Sequence, residues 1–140
     1  MNWKDEFATG IHNIDDQHET ILESITRFER NSEEGTASEA MRPLLLRTRE
    51  LVVLHFKVEE SLMQLLAYSD LRAHRAEHKC ILDHIADLEG QVLRNDVQDK
   101  LAPLVRHLLF GHVADSDKRF AQYALDLFSG PSLGVRRTAD

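Results

Sequence analysis

The sequence predicts an all-α protein, an antiparallel four-helix bundle in up-down-up-down order with an N-terminal loop arm. The chain of 140 residues contains only 6 Gly and 3 Pro, and such a shortage of helix breakers favours long helices. Apolar residues recur at spacings of three and four along four stretches, which is the period of an amphipathic helix. Short polar segments separate the stretches, and helices joined by short turns pack antiparallel. We expect one domain over residues 1–128 and a flexible tail over residues 129–140.

The N-terminal arm is predicted over residues 1–14, where apolar residues such as Phe7 lack the alternation of a strand. We expect them to lie against the domain. The first helix is expected to begin near Asp15 or Asp16, because either side chain can cap it. His18 falls on the apolar stripe of this helix. A single histidine on such a stripe is more often a hydrogen-bonded core residue than a metal ligand, and taken alone His18 is interpreted as a core residue.

The second helix is expected over residues 38 to about 67, with Pro43 in its first turns, where a missing N–H costs least. His55 and Glu59 lie four residues apart, so both project from one face. A carboxylate on a buried face is costly unless it is paired or bound to a metal. The alternative is that Glu59 lies at the edge and points to water, as Glu60 beside it is expected to do.

The third helix is expected over residues 70 to about 95, after a polar turn at Ser69-Asp70. His74 and His78 replace apolar residues in the middle of its core-facing stripe, again four residues apart. Two buried imidazoles one turn apart need partners for four ring nitrogens, which favours a functional role. Both histidine-containing pairs can therefore face a common space in an antiparallel bundle.

The fourth helix is expected over residues 97 to about 128. His112 and Asp117 interrupt its apolar side five residues apart, which leaves their directions roughly 140° apart on an ideal helix. Two explanations are open. Either the carboxylate reaches round from the side, or a π-bulge near Ala114-Asp115 closes the angle, and such bulges favour functional sites.

Charge and composition restrict the functional class. The formal net charge is −7, which argues against binding to nucleic acid or to an anionic membrane surface. No apolar run reaches the length of a membrane span, and the N-terminus lacks the pattern of a secretory signal. One cysteine, Cys80, permits no intrachain disulfide, which suits a reducing cytoplasm. We therefore expect a cytoplasmic protein. A monomer is compatible with the sequence, and no protein partner is identified.

The four helices together carry seven nitrogen and oxygen donors that face one core. They are His18, His55, Glu59, His74, His78, His112 and Asp117. Seven donors are too many for one zinc ion and suit two ions, while calcium and magnesium prefer oxygen alone. Imidazoles with carboxylates able to bridge favour iron, with manganese second. The Glu-x-x-His motif of the ferritin-like di-iron proteins is missing from the sequence.

Several short motifs in order carry a resemblance to a known family. They are Trp3, Gly10-Ile11, Ile14-Asp15-x-Gln17-His18, His55-Phe56-x-x-Glu59-Glu60-x-x-Met63, Tyr68, His74-x-x-x-His78 and His112-x-x-x-x-Asp117. With these, the chain resembles the hemerythrins, specifically the single-domain bacteriohemerythrins, over roughly residues 3–128. Myohemerythrin is a known example of an up-down four-helix bundle, so the resemblance implies the same fold that the helical periodicity predicts.

The resemblance also implies a cofactor of two iron ions, cycling between Fe2+ and Fe3+. One iron would take His74, His78 and His112. The other would take His18 and His55 and keep an open position for dioxygen. Glu59 and Asp117 would bridge the ions, with an oxo or hydroxo group as the third bridge.

An apolar oxygen pocket is expected around the open position. By helix phase, its lining residues would be Ile21, Leu22, Phe56, Leu108 and Leu109. The family often carries Trp four residues before the histidine of the fourth helix, where this chain has Leu108. A smaller side chain there is expected to widen the pocket or a tunnel, with faster oxygen exchange or faster autoxidation.

The function implied by the resemblance is reversible dioxygen binding for storage, delivery or sensing. The alternative is a di-iron enzyme that acts on peroxide or nitric oxide, or a ferroxidase. A third interpretation is a structural helical bundle or a zinc-binding interaction module. The sequence shows no nucleophile or substrate-anchoring cluster beyond the ligands, which favours a carrier over an enzyme.

Overall fold

A computed structural model describes residues 7–35, 38–94 and 101–129. Trp3 and almost all of the expected C-terminal tail lie outside this part of the chain. Within it, Phe7 is buried and its ring packs against that of Phe110, with centroids 5.1 Å apart. The expectation that apolar residues of the arm lie against the domain is therefore confirmed for Phe7.

The first helix, α1, spans His12–Glu33 and begins earlier than the capping rule predicts. Ile11 precedes it without a side-chain cap, so neither Asp15 nor Asp16 is the N-cap. Asp15 instead accepts hydrogen bonds from the backbone N–H and the hydroxyl of Thr9, both 2.8 Å long. Since a carboxylate in the first helical turn can bind back to the preceding loop as well as start a helix, the boundary expected from the sequence was three to four residues late.

The second and third helices form the hairpin that carries two histidine-containing pairs. Helix α2 spans Ser38–Leu65 with Pro43 in its second turn, and α3 spans Leu71–Leu93. Between them Ala67 adopts a left-handed conformation with φ 56°. The Tyr68 N–H donates to the carbonyl of Met63 at 2.9 Å, so α2 ends in a Schellman-type turn.

The fourth rod of the bundle is not a uniform α-helix. Helix α4 spans Leu101–His112, a π-helical turn follows over Val113–Asp117, and α5 spans Lys118–Ser129. Of the two explanations left open by the five-residue spacing, the structure therefore shows the π-bulge. The wider turn rotates Asp117 onto the same face as His112.

The helices close into a ring in which each rod packs against two neighbours. Helix α1 packs on α2, α2 on α3, α3 on α4, and α4 on α1. The predicted all-α, antiparallel four-helix bundle is confirmed. In the described ranges, no helix combines the length and apolarity that crossing a membrane would require.

The buried interior has two apolar parts with a polar layer between them. The larger cluster includes Ile25, Phe28, Val52 and Leu88, and the smaller one contains Met63, Phe120 and Ala124. The chain segments between these clusters carry the buried histidines and carboxylates. Apolar packing on both sides therefore keeps bulk water away from the polar layer.

Candidate metal centre

All seven donors predicted from the sequence are buried and converge in the polar layer. Two overlapping groups have ligand atoms within 4.8 Å of one another. The three-histidine group consists of Glu59, His74, His78, His112 and Asp117. The two-histidine group consists of His18, His55, Glu59 and Asp117. Since both carboxylates belong to both groups, the geometry is that of two adjacent cation sites sharing two acidic side chains.

Glu59 presents a different oxygen to each group. Its Oε1 lies 3.0 Å from the Nε2 of His74 and 3.2 Å from that of His78. Its Oε2 lies 3.8 Å from the Nε2 of His55 and has no hydrogen-bond partner in the described part of the chain. The side chain is 0% exposed, so the alternative in which Glu59 points to water is wrong.

The two carboxylate oxygens of Asp117 also face different groups. Its Oδ1 lies 2.8 Å from the Nε2 of His74 and 2.9 Å from that of His112, whereas its Oδ2 lies 3.0 Å from the Nε2 of His18. Burial raises the pKa of Asp117, but hydrogen bonds from the surrounding imidazoles outweigh it and hold the pKa well below its usual range. Asp117 is therefore an anion, and both donor groups share its charge.

Three of the imidazoles are oriented by hydrogen bonds at their outer nitrogen. Each donates its Nδ1–H to an oxygen that can only accept, over 2.6 Å. The pairs are His55 with Gln17, His78 with Glu60, and His112 with Glu77. When such a ring is neutral and keeps its proton on Nδ1, its Nε2 carries a lone pair that points into the centre. This is the tautomer that binds a metal through Nε2.

Pairs of imidazole nitrogens lie so close together that a proton or a cation is needed to offset their repulsion. The Nε2 atoms of His18 and His55 lie 2.8 Å apart, and those of His78 and His112 lie 3.0 Å apart. Two lone pairs at such a distance repel unless a proton or a metal ion lies between or beside them. Burial lowers the pKa of His74, yet its hydrogen bonds to Asp117 and Glu59 raise it to about 9, so the centre attracts positive charge.

The expected oxygen-pocket residues all belong to or pack against the larger apolar cluster. Ile21, Leu22, Phe56 and Leu109 are buried in it, and Leu108 packs against it from a partly buried position. The Phe56 ring stacks on the imidazole of His78, with centroids 3.7 Å apart and planes 4° apart. That the five expected residues line a gas pocket stays a prediction.

The residues that orient the imidazoles escaped prediction from the sequence. Glu60, expected in water, accepts from His78 instead, and Glu77 was not singled out. A signal was available: Gln17 precedes His18, Glu60 follows Glu59, and Glu77 precedes His78. Each outer partner is therefore next to a donor on its own helix and hydrogen-bonds to a donor on the following helix.

Comparisons with known proteins agree with this geometry. The family described as Hemerythrin HHE cation binding domain matches residues 9–124. The bacteriohemerythrin of Methylococcus capsulatus is 33% identical over 123 residues, covering 86% of this chain and 93% of that protein. The hemerythrin subunit alpha of Lingula anatina is 29% identical over 76% of this chain and 84% of its own. A crystal structure of wild-type hemerythrin has a TM-score of 0.80 and 31% identity, covering 87% of this chain and 95% of the other.

Proposed function

Because this chain belongs to the hemerythrin family, we propose that it binds dioxygen reversibly at a non-haem di-iron centre. The observation that carries the proposal is the unequal pair of donor groups that share Glu59 and Asp117. One group offers three imidazoles and the other offers two. An iron held by the two-histidine group would therefore have one protein ligand fewer, and an open position separates a reactive metal site from a structural one.

The ligand assignment follows these groups. His74, His78 and His112 would hold one iron, and His18 and His55 would hold the other. Glu59 and Asp117 would be shared by the pair, together with an oxo or hydroxo group. The divided contacts of the four carboxylate oxygens support this arrangement, because each acid turns one oxygen to each side. Nitrogen-rich ligation with bridging carboxylates suits iron.

Two ferrous ions, when bound, supply the electrons that dioxygen takes up and returns. The protein's part is to orient, neutralise and exclude water. The outer hydrogen bonds fix three imidazoles with Nε2 directed inward, so little reorganisation accompanies binding of the ions. The charges of Glu59 and Asp117 offset positive charge in a site with no bulk water, where electrostatic attraction is strong.

An apolar surrounding favours a small neutral gas over charged or strongly hydrated ligands. Ile21, Leu22 and Leu109 are each exposed by 2% or less, so the larger apolar cluster is dry. We assign these residues, with Phe56 and Leu108, to the oxygen pocket. Storage, delivery and sensing all use the same reversible step.

Aerobic purification followed by one absorption spectrum tests the proposal. We expect about two irons per chain and an oxygen-dependent visible band that disappears on deoxygenation and returns in air. Many turnovers of peroxide or nitric oxide without loss of activity would replace the carrier with a di-iron enzyme, and steady oxidation of added ferrous iron would replace it with a ferroxidase. A chain that holds zinc alone, or no metal, would overturn the proposal.

A further inference from the structure

The three-histidine group has two negatively charged outer partners. His78 donates its Nδ1–H to Glu60, and His112 donates its Nδ1–H to Glu77. The side chains of both histidines are at most 3% exposed, so these hydrogen bonds lie at the boundary between the core and the solvent-facing carboxylates. A carboxylate that accepts from Nδ1 draws the proton outward and makes Nε2 a stronger donor to a metal.

Both carboxylates are held in place by a second donor. Glu60 accepts from the Nε of Arg75 at 3.1 Å, and Glu77 accepts from the hydroxyl of Ser116 at 2.6 Å. Ser116 lies in the π-helical turn and is 4% exposed. Ser116 lies in the sequence between His112 and Asp117. Its hydroxyl holds in place the Glu77 carboxylate that orients His112.

Both outer partners of this group are acidic side chains, which ordinarily carry a negative charge at neutral pH. Glu60 also forms an ion pair with Arg75, whose Nε lies 3.1 Å from its Oε1. The three-histidine group is therefore flanked by two carboxylates.

The two-histidine group has a different environment. His55 donates its Nδ1–H to the amide oxygen of Gln17, which carries no charge. The Nδ1 of His18 is buried and has no hydrogen-bond partner in the described ranges. An amide withdraws the imidazole proton less than a carboxylate does, so the Nε2 atoms on this side are weaker donors.

We propose that Glu60 and Glu77 make the three-histidine group the tighter of the two metal sites, and that Gln17 keeps the two-histidine group the weaker. This inference rests on the proposed di-metal centre and adds an order of loading to it. The first ion enters the three-histidine group, and the ion at the open position is the one that exchanges more readily. The third histidine favours the same order, so a test must change charge without changing ligands.

Glu77→Gln and Glu60→Gln make that change. A glutamine has nearly the shape of glutamate and its amide oxygen still accepts from the histidine Nδ1–H, so the hydrogen bond stays while the charge is lost. Metal-free protein would be titrated with Co2+ without oxygen, and the two binding steps followed by calorimetry and by the visible spectrum of cobalt. We expect the first step to weaken by about 10- to 100-fold in each variant and the second to change little.

Gln17→Glu supplies the reverse test at the other group. It adds a charge where the wild type has an amide, and we expect the second step to strengthen by about tenfold or more, with the first unchanged. In the double variant Gln17→Glu/Glu77→Gln, the difference in affinity between the two cobalt-binding steps should become smaller or change sign. Glu89→Gln is a matched control on α3, because Glu89 pairs with Arg49 at the surface, and it should alter neither step.

The outcomes separate this inference from the proposed function. Equal weakening of both steps in Glu77→Gln, or two unchanged steps in all the charge variants, overturns the loading order alone. Uptake of a single cobalt ion by the wild type overturns the di-metal centre as well. Circular dichroism of each metal-free variant identifies a folding defect, and in that case Gln17→Glu, which removes no contact with Glu60 or Glu77, decides the question.

Discussion

At the scale of single residues, His74 lies where the two shared carboxylates meet. Its Nε2 is 3.0 Å from Glu59 Oε1 and 2.8 Å from Asp117 Oδ1. Burial lowers the pKa of the His74 imidazole, but its contacts with Asp117 and Glu59 outweigh burial and raise the pKa to about 9. In the metal-free protein at neutral pH, His74 therefore holds a proton in the place that a metal ion would take.

Metal binding should release that proton. Because a metal requires the neutral imidazole, the proton on His74 competes below a pH of about 9, and the competition weakens as the pH rises. We expect the apparent affinity for Zn2+ to increase by up to about tenfold per pH unit between about pH 6 and pH 8. Stopped-flow measurement with a pH indicator in weak buffer detects the release. A metal-free protein that takes up zinc at neutral pH without releasing protons contradicts the prediction.

Loss of a shared carboxylate should empty the centre. We predict that Glu59→Ala or Asp117→Ala loses a bridge and most of the iron, because each variant removes an anion that both groups use. Iron analysis and the visible spectrum measure the effect. Asp115→Ala is the matched control, since Asp115 is an exposed carboxylate two residues away that pairs with Arg119. Full iron content and an unchanged spectrum in Asp117→Ala would show that the bridging assignment is wrong.

Replacing Leu108 by tryptophan tests whether a smaller side chain next to the candidate metal centre speeds oxidation. It lines a cleft of about 270 Å³ whose wall includes His112 and Gly111. Leu108→Trp should fill part of this cleft and slow the oxidation of the reduced, iron-loaded protein in air. Leu104→Trp, one turn earlier on α4 and outside that cleft, should leave the rate unchanged. Stopped-flow rates for Leu108→Trp that equal or exceed the parent rate would count against the cleft as a route.

The sequence predicted the seven donors because each one breaks an apolar pattern. A histidine or carboxylate on a buried stripe is conspicuous, and spacings of four residues show which of them share a face. Glu60 and Glu77 break no such pattern. They lie at the edge of the bundle, where charged residues are expected, and their function depends on a histidine of the neighbouring helix that only the packing of the rods brings within 2.6 Å.

At the scale of the helices, the ends were harder to predict than the bodies. Four rods follow from periodicity, whereas Asp15 binds back to Thr9 rather than capping α1. The π-helical turn over Val113–Asp117 was one of two explanations for a five-residue spacing, and periodicity alone does not choose between them. Local sequence signals allow several boundary geometries, and tertiary contacts such as the hydrogen bond from Ser116 to Glu77 decide among them.

The turn after α2 places Ala67 in a strained backbone conformation, and a glycine at this position should relieve the strain. Ala67 has φ 56°, a left-handed conformation that disfavours a residue with a Cβ by about 1 kcal/mol. We expect Ala67→Gly to stabilise the protein by about 0.5–1 kcal/mol in urea unfolding of the metal-free form. Gly35→Ala provides the opposite case, because Gly35 ends α1 at φ 74° with open space around a Cβ, and it should destabilise by a similar amount. Equal stabilities for Ala67→Gly and the parent would show that the turn tolerates alanine without strain.

At the scale of the whole molecule, the centre divides the core. Apolar clusters lie on either side of a layer that holds five imidazoles and two carboxylates. Such a layer is costly when its groups face one another, and His18 Nδ1 and Glu59 Oε2 are buried without hydrogen-bond partners among the described residues. We therefore expect the four rods to depend on bound ions for part of their stability, because every rod contributes at least one donor.

Removal of the metal should consequently destabilise the entire bundle. A ligand present at about 1,000 times its dissociation constant stabilises the folded state by about 4 kcal/mol, which for a chain of this size corresponds to about 10 °C or more in melting temperature. Thermal unfolding followed by circular dichroism, before and after dialysis against a chelator, measures the difference. Asp117→Ala, predicted to hold little iron, should melt at nearly the same temperature with and without the chelator. Equal melting temperatures for the loaded and stripped wild-type protein would mean that the four rods pack around the polar layer without help from the ions.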